Sequence, residues 1–558
     1  RTVTIGFNGD KIYQDSDYNS DDGKLYSSSK PYYSNESKYL TKYKYDNIKR
    51  IKRIELPGSR FFNYVFLMNL ESITNPLKQN TYVRKGSLGK PEYINENDVA
   101  TTIRNYDAAG QLIETKLENQ ENTTISYKFD TFGNIIEIND PAIGKKEYKY
   151  NCFGELVKVF HNEILEQENL EYDKLGRLTI MNEPEHGQTT YLFDEQFIGL
   201  PDEINFASSV NGSLFKTKFD YDKLARKIAT TESILHNNIN EQFVISQTYD
   251  EFSRTNSLTY PTGYTILHNY NKNGYLNKIS QGIDNSTLWE NKEMNANQEF
   301  TEYDYGNGIT TFNKYISTLG YLWTSDAINI ENKTLINSKL YKWDAIGNLS
   351  YYTEDSELGD YRMESFEYDN LNRLDKTELH LNGHYVSKVE LKYDNLGRIM
   401  CKKSDRPEFH VADNYTYQDN SPNPYKLLSI DGVPAFYNAD LQEIKYTTFD
   451  KVENIRQFSL GHRLIGELDI IYAYANQRKI QMNFDYENFK KRTKIYVGDI
   501  FEKIIIEDLA KSAYVQTEEI HYINAPTGLI AINTEKSGSK ASGLKYVHKN
   551  HIGSITEL

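Results

Sequence analysis

The pattern Tyr-Asp-x-x-Gly-Arg-Leu recurs along this chain at intervals of twenty-odd residues, and that recurrence constrains the fold more than any other feature. Its cleanest copies are Tyr172-Asp173-Lys174-Leu175-Gly176-Arg177-Leu178 and Tyr393-Asp394-Asn395-Leu396-Gly397-Arg398-Ile399. Degenerate copies begin at Tyr45, Tyr106, Phe129, Tyr150, Tyr221, Tyr249, Tyr270, Trp343, Tyr368 and Phe449, keeping the aromatic while Asp, Gly or Arg is variously replaced. From Tyr106 through Phe129 and Tyr150 to Tyr172 the steps are 23, 21 and 22 residues, a period that belongs to repeat architectures.

The residue types of one repeat describe a β-hairpin. Runs such as Glu147-Tyr148-Lys149-Tyr150 alternate aromatic and charge with the period of two that a pleated strand imposes. The Asp that follows accepts hydrogen bonds from nearby backbone N–H groups, and the Gly three positions on takes the positive φ that a side chain resists. After it, Arg177-Leu178-Thr179-Ile180 restores the alternation on a returning strand. The structural positions of the motif are thus Tyr45, Asp46, Tyr106, Asp107, Gly110, Tyr172, Asp173, Gly176, Arg177, Tyr221, Asp222, Arg226, Tyr368, Asp369, Arg373, Tyr393, Asp394, Gly397 and Arg398. The aromatic heading each repeat is expected to pack against aromatics of neighbouring repeats.

Composition agrees with an all-β array. Aromatics make up 13% of the 558 residues, 46 of them Tyr, and no long helix-period run of Leu and Ala appears. A chain this long exceeds a single growing core, yet no Gly/Ser or Pro-rich linker divides it. About fifteen hairpins side by side make a sheet ~140 Å wide. Beyond ~10 strands a twisted sheet curls, splits or closes, so the expectation is a curled or spiral sheet around a hollow interior. The net charge of −15 without a basic stripe argues against nucleic acid. No apolar stretch reaches the ~20 residues of a membrane span. Cys152 and Cys401 read as unpaired thiols. The chain opens without Met or a secretory signal and stops within patterned sequence, which reads as a fragment of a longer polypeptide.

These copies resemble the YD repeats of the Rhs family, and the resemblance covers the chain from Tyr45 onward. The stretches Tyr496–Lys503, His521–Gly528 and Tyr546–Ser554, which include His548, His551, Gly553 and Ser554, resemble the lead-in to the Rhs-associated core domain. Tyr13–Tyr18 and Ser29–Tyr33, followed by Tyr43-Lys44-Tyr45-Asp46, resemble the passage into YD repeats in the B component of insecticidal Tc (ABC) toxins. The resemblance divides the chain into a lead-in at 1–40, a repeat shell at 41–490 and the beginning of the core domain at 491–558.

What the resemblance implies is containment. In that family the repeats form a hollow cocoon, secreted as part of a toxin complex, that encloses a cytotoxic C-terminal effector until a translocation (A-type) subunit opens a route into the target cell. The other implied partners are an upstream B-type region and the downstream Rhs core. The family's aspartate-dependent self-cleavage site would lie beyond Leu558, so no residue here is assigned to catalysis and no cofactor is implied. Two alternatives share the repeats: a teneurin-like adhesion or recognition protein, and a polymorphic Rhs effector shell used between bacteria.

Other motifs are weaker than their structural readings. Asp15–Gly23 has the alternating oxygens of a calcium loop but Ser20 where Gly belongs and no bidentate Glu. His548 and His551 lack a third ligand nearby in sequence. Tyr305-Gly306-Asn307-Gly308 reads as a hairpin turn, without the strand-to-helix setting of a phosphate loop. Neither a serine nucleophile elbow nor a zinc-protease helix motif is present. Sequons such as those at Asn35, Asn122 and Asn414 are expected by chance in so Asn-rich a chain.

Overall fold

Alternation of aromatic and polar residues becomes β-strand almost throughout, as the sequence predicts. The structure, a computed structural model, describes residues 1–237, 239–356, 359–406, 414–417, 424–430, 441–511, 513–537 and 543–557. Strands account for 64% of the chain. Among the described residues helical content is slight, with the short 3-10 turn Tyr474–Asn476, and no helix is long and apolar enough to cross a membrane.

Strands pair antiparallel with their sequence neighbours, as Ile164–Tyr172 does with Leu178–Glu183 and His384–Tyr393 with Ile399–Ser404. The chain forms two units built from separated stretches. The first comprises Arg1–Lys145, Tyr270–Asn277 and Glu290–Pro434; the second comprises Lys146–Asn269, Lys278–Trp289 and Ala435–Leu558.

Within the first unit, early hairpin turns are tied to late ones. Gln79 Nε2 donates to Asn372 Oδ1 at 3.1 Å, Arg60 Nη1 to the Ala345 carbonyl at 3.1 Å, and Asn271 Nδ2 to the Phe7 carbonyl at 2.9 Å.

The second unit contains a nine-stranded sheet running from Gln442–Tyr446 to Gly543–Tyr546 in sequence order. Its hairpin ends meet those of the strands between 187 and 289. Phe206, Ile234, Tyr260, Ile266, Ile279 and Leu288 from one side, and Ile480, Ile495, Phe501, Ile523 and Ala531 from the other, are all almost fully buried. The deepest core of this unit is therefore a seam of hairpin ends and not a layer beneath a sheet face. Away from it the strands are half-buried: Leu178–Glu183 shows intermediate exposure at all 6 positions, without the strict in-and-out alternation of a filled sandwich.

One repeat assignment is corrected. The copy read as beginning at Phe449 begins at Tyr446. The turn is Thr447-Thr448-Phe449-Asp450-Lys451, closed by Thr447 N–H donating to the Lys451 carbonyl at 2.8 Å. Asp450 occupies the position of Gly at φ +60, which Asp tolerates better than most side chains. Phe449 lies in the turn and packs edge-on against Tyr472.

Candidate functional site

The recurring turn is the most heavily built site in the molecule. In the repeat at Tyr172, the Asp173 N–H donates to the Arg177 carbonyl and the Gly176 N–H to the Asp173 carbonyl, at 2.9 and 3.0 Å. The Asp173 carboxylate accepts the Leu175 and Arg177 N–H groups at 2.8 and 2.9 Å, and Arg177 Nε donates to its other oxygen at 2.6 Å. One side chain thus satisfies the turn's inward amides and anchors the residue four positions on. Gly176 and Gly397 lie at φ +75 and +81, where a Cβ is strained.

The same geometry recurs at Asp46 with Arg50, Asp222 with Arg226, Asp369 with Arg373 and Asp394 with Arg398, the Arg Nε to carboxylate distances being 2.6–2.8 Å. At Asp107 the two amide bonds remain, Gln111 stands in for Arg, and Gly110 keeps φ +80. The Asp222 carboxyl is held below its ordinary range chiefly by the Arg226 side chain; desolvation opposes this, and the Arg226 and Leu224 backbone N–H groups add to the lowering.

Each head tyrosine reaches back one repeat. The hydroxyls of Tyr45, Tyr106, Tyr221, Tyr368 and Tyr393 donate to the carbonyls of Leu25, Pro91, Pro201, Leu349 and Leu374 at 2.7–3.2 Å. Tyr172 does the same to Leu156. In several repeats the neighbour of the head aromatic is a cation: Arg226 lies 4.6 Å over the Tyr249 ring, Arg373 4.3 Å over Tyr393, and Arg398 4.6 Å over Tyr417. A delocalised guanidinium already fixed by its carboxylate stacks at little further entropic cost. Ring pairs persist where no Arg is available, as between Tyr321 and Trp343 at 5.3 Å.

The register slips at the head aromatic itself. Tyr172 opposes Leu178 while Glu171 opposes Ile180, leaving Thr179 as an extra residue, and Tyr393 with Ile399 repeats this. Such a bulge bends the strand and increases local twist. Sequence reasoning missed the ion pair, the stacked cation and the bulge. The first was visible in the fixed four-residue spacing of Asp and Arg.

The third turn residue points outward. In the second unit Phe153, Leu175, Leu224 and Phe252 are 84%, 70%, 68% and 69% exposed.

The C-terminal positions belong to the same device. His548 lies buried in the short strand His548–Lys549, and His551 sits inside the turn Asn550-His551-Ile552-Gly553-Ser554. Asn550 Oδ1 accepts the Ile552 and Ser554 N–H groups at 3.1 and 3.0 Å, and Gly553 has φ +87. The carboxylates of the calcium-like stretch diverge: Asp15 pairs with Arg1 and Lys38, Asp17 accepts the Ser27 hydroxyl, and Asp22 pairs with Lys49. Among the described residues no three His, Cys, Asp or Glu side chains converge as metal ligands. Cys152 and Cys401 are both free thiols.

The seam of the second unit carries several buried polar groups. Lys479 and Glu232 pair at 2.7 Å with side chains 7% and 10% exposed. Tyr260 donates to the Tyr522 carbonyl at 2.9 Å, and His521 contacts the Thr262 hydroxyl at 2.8 Å while lying edge-on to the Tyr260 ring. Burial lowers the His521 pKa, which favours a neutral imidazole in a structural hydrogen bond.

Comparison with known proteins agrees with this geometry. Residues 90–230 match the sequence profile of the family described as Teneurin YD-shell. No curated protein sequence matches the chain. Among solved structures, TcdB2-TccC3 superposes with a TM-score of 0.82 at 13% identity, over 99% of this chain and 33% of that one. The Photorhabdus luminescens Tc holotoxin pore carrying the TccC3 D651A mutation gives 0.82 at 14% identity, over 97% and 31%. TcdB2-TccC3-TEV gives 0.81 at 13%, over 98% and 31%. The chain spans about a third of the length of the solved chains it matches and shares their YD-repeat sheet fold.

Proposed function

We propose that this chain is wall: part of a YD-repeat shell that encloses a cytotoxic C-terminal effector before delivery, in the manner of a Tc-type toxin. The observation that carries the reading is the fold likeness to TcdB2-TccC3 over 99% of the chain. The distribution of chemistry supports it, because polar side chains in the repeats are spent on turn closure and on locking one repeat to the next, not on an exposed catalytic constellation. On this reading the chain has no enzymatic role of its own and acts outside the producing cell. Its partners are the enclosed effector, an upstream B-type region, the downstream Rhs core and an A-type translocation subunit. Residues 1–40 lead in, 41–490 form the repeat wall and 491–558 begin the core domain.

Co-expression with the downstream core and effector tests this. The effector should resist protease in the assembled complex and become sensitive when the shell is opened by denaturant. An effector that is digested and active from outside the intact assembly overturns containment.

A second reading rests on the Teneurin YD-shell match at residues 90–230: a recognition protein that presents its surface. Saturable binding of the chain to a cell-surface protein, with no protection of any downstream segment, would favour it.

A further inference from the structure

A cleft of about 490 Å³ in the first unit lies beside the turn that Asn295 and Glu299 lock. Its lining includes Lys30, Ser37, Tyr39, Asn297, Tyr315 and Trp323. Trp323 is 46% exposed, so a large aromatic surface stands open in a concave, largely polar setting.

Lys30 is the unusual member. Its ammonium makes a long hydrogen bond of 3.4 Å to the Ser317 carbonyl, and no carboxylate lies within ion-pair distance among the described residues. A Cβ built on Gly320 would stand 3.3 Å from Lys30 Nζ, so the charge lies tight against backbone. Burial lowers its pKa and Arg60 adds repulsion, against a smaller opposing attraction from the Glu299 carboxylate. Glu36, the acid in the cleft, has its Oε2 engaged by the Tyr33 N–H at 2.8 Å. The hydroxyl of Thr301, also lining the cleft, is buried without a hydrogen-bond partner. The ammonium is open to solvent and has one weak protein acceptor, so its remaining donors are free to exchange water for a carboxylate. In a chain of net charge −15, one such cation does not suit a polyanion. The volume lies in the range of small-ligand sites.

We propose that this cleft binds a carboxylate-bearing pyranose, with Lys30 pairing the carboxylate and Trp323 covering the apolar face of the ring. Ser37, Asn297 and Tyr39, which share the lining, supply hydroxyl and amide groups for ring hydroxyls. Two sources share this chemistry, sialic acid and uronic acid.

Saturation-transfer NMR and calorimetry on the 558-residue chain, with N-acetylneuraminic acid, glucuronic acid and the methyl ester of each, test it. At least one acid should bind about tenfold more tightly than its ester, the size of one charge-assisted hydrogen bond; which acid does so identifies the source. Lys30→Gln should erase the difference between acid and ester. Trp323→Ala should remove binding of both, and Trp323→Tyr, which keeps a ring and guards against misfolding, should retain part of it. Equal affinity for acid and ester, absence of binding by either acid at millimolar concentration, or an acid preference that survives Lys30→Gln would overturn the proposal.

Discussion

Asn295 Nδ2 donates to Glu299 Oε2 at 2.7 Å, the reverse of the bond that Asp and Arg make at the same two turn positions elsewhere. Asn151 with Glu155 at 2.6 Å and Asn75 with Gln79 at 2.7 Å follow the same reversal. Where Asp is retained without Arg, Asn134 and Asn348 act as donors to Asp130 and Asp344, both at 2.9 Å. What these copies share is a donor–acceptor pair, not a residue. In these turns, when the first position is a pure acceptor the fifth donates, and when the first brings an amide the fifth is an acceptor; Asn271 departs from this by turning its amide to the Phe7 carbonyl. Asn295→Asp should therefore set two carboxylates against each other and lower the thermal midpoint, while Asn295→Asp with Glu299→Arg should recover it. A double variant no more stable than the single one would show that the pair is incidental.

Ala225 holds the position of the motif glycine at φ +60, a conformation that costs an L residue roughly 1–2 kcal/mol. Its N–H still donates to the Asp222 carbonyl at 2.9 Å, so the backbone geometry is that of the other turns. Ala225→Gly should raise stability by about 1 kcal/mol, the strain relieved less the entropy of a freer unfolded chain. Chemical denaturation measures it. A decrease would mean that the turn carries no strain there.

Lys479 and Glu232 are buried together in the second unit, and the Gly498 N–H also donates to Glu232 at 3.3 Å. Removing the cation alone leaves a carboxylate stranded away from water, a loss of about 3–5 kcal/mol. Lys479→Met should show that loss in the denaturation midpoint, and Lys479→Met with Glu232→Leu should regain most of it because apolar packing replaces a desolvated pair. Equal destabilisation by both would assign the effect to shape instead of charge.

Glu183 carries a carboxyl pushed up to about 7, first by burial and then by the charge of Glu166, and its Oε2 has no hydrogen-bond partner. The folded value lies above the ordinary 4.5, so as pH rises the unfolded chain gives up this proton first. The contribution is favourable below pH 4.5, is lost progressively between 4.5 and about 7, and is flat above. Glu183→Gln should raise the thermal midpoint at pH 8 and leave it nearly unchanged at pH 4.5. A variant whose gain is independent of pH would exclude this titration.

The repeat was written in the sequence because each turn is local. Asp, Gly and the alternating strands act within about ten residues, so Tyr172 to Ile180 announces a hairpin whatever surrounds it. The pairing of Asp173 with Arg177 was equally present in the spacing, and the exchange of Asp and Arg for Asn and Glu could be read from this one chain. The start of the copy near 449 was misjudged because Phe449-Asp450 imitates the head of a repeat, and the backbone decided for Thr447 by which amides could close the turn. Residues far apart in sequence were a different matter. That Phe243 meets Phe501 at 5.9 Å, that Lys479 finds Glu232, and that Lys30 lies beside Ser317 depend on how accumulated strand twist brings distant hairpin ends together. No local pattern encodes that sum. The sequence by itself determined the unit and its turn chemistry; the tertiary structure decided which ends are buried and which distant charges and carbonyls are brought together.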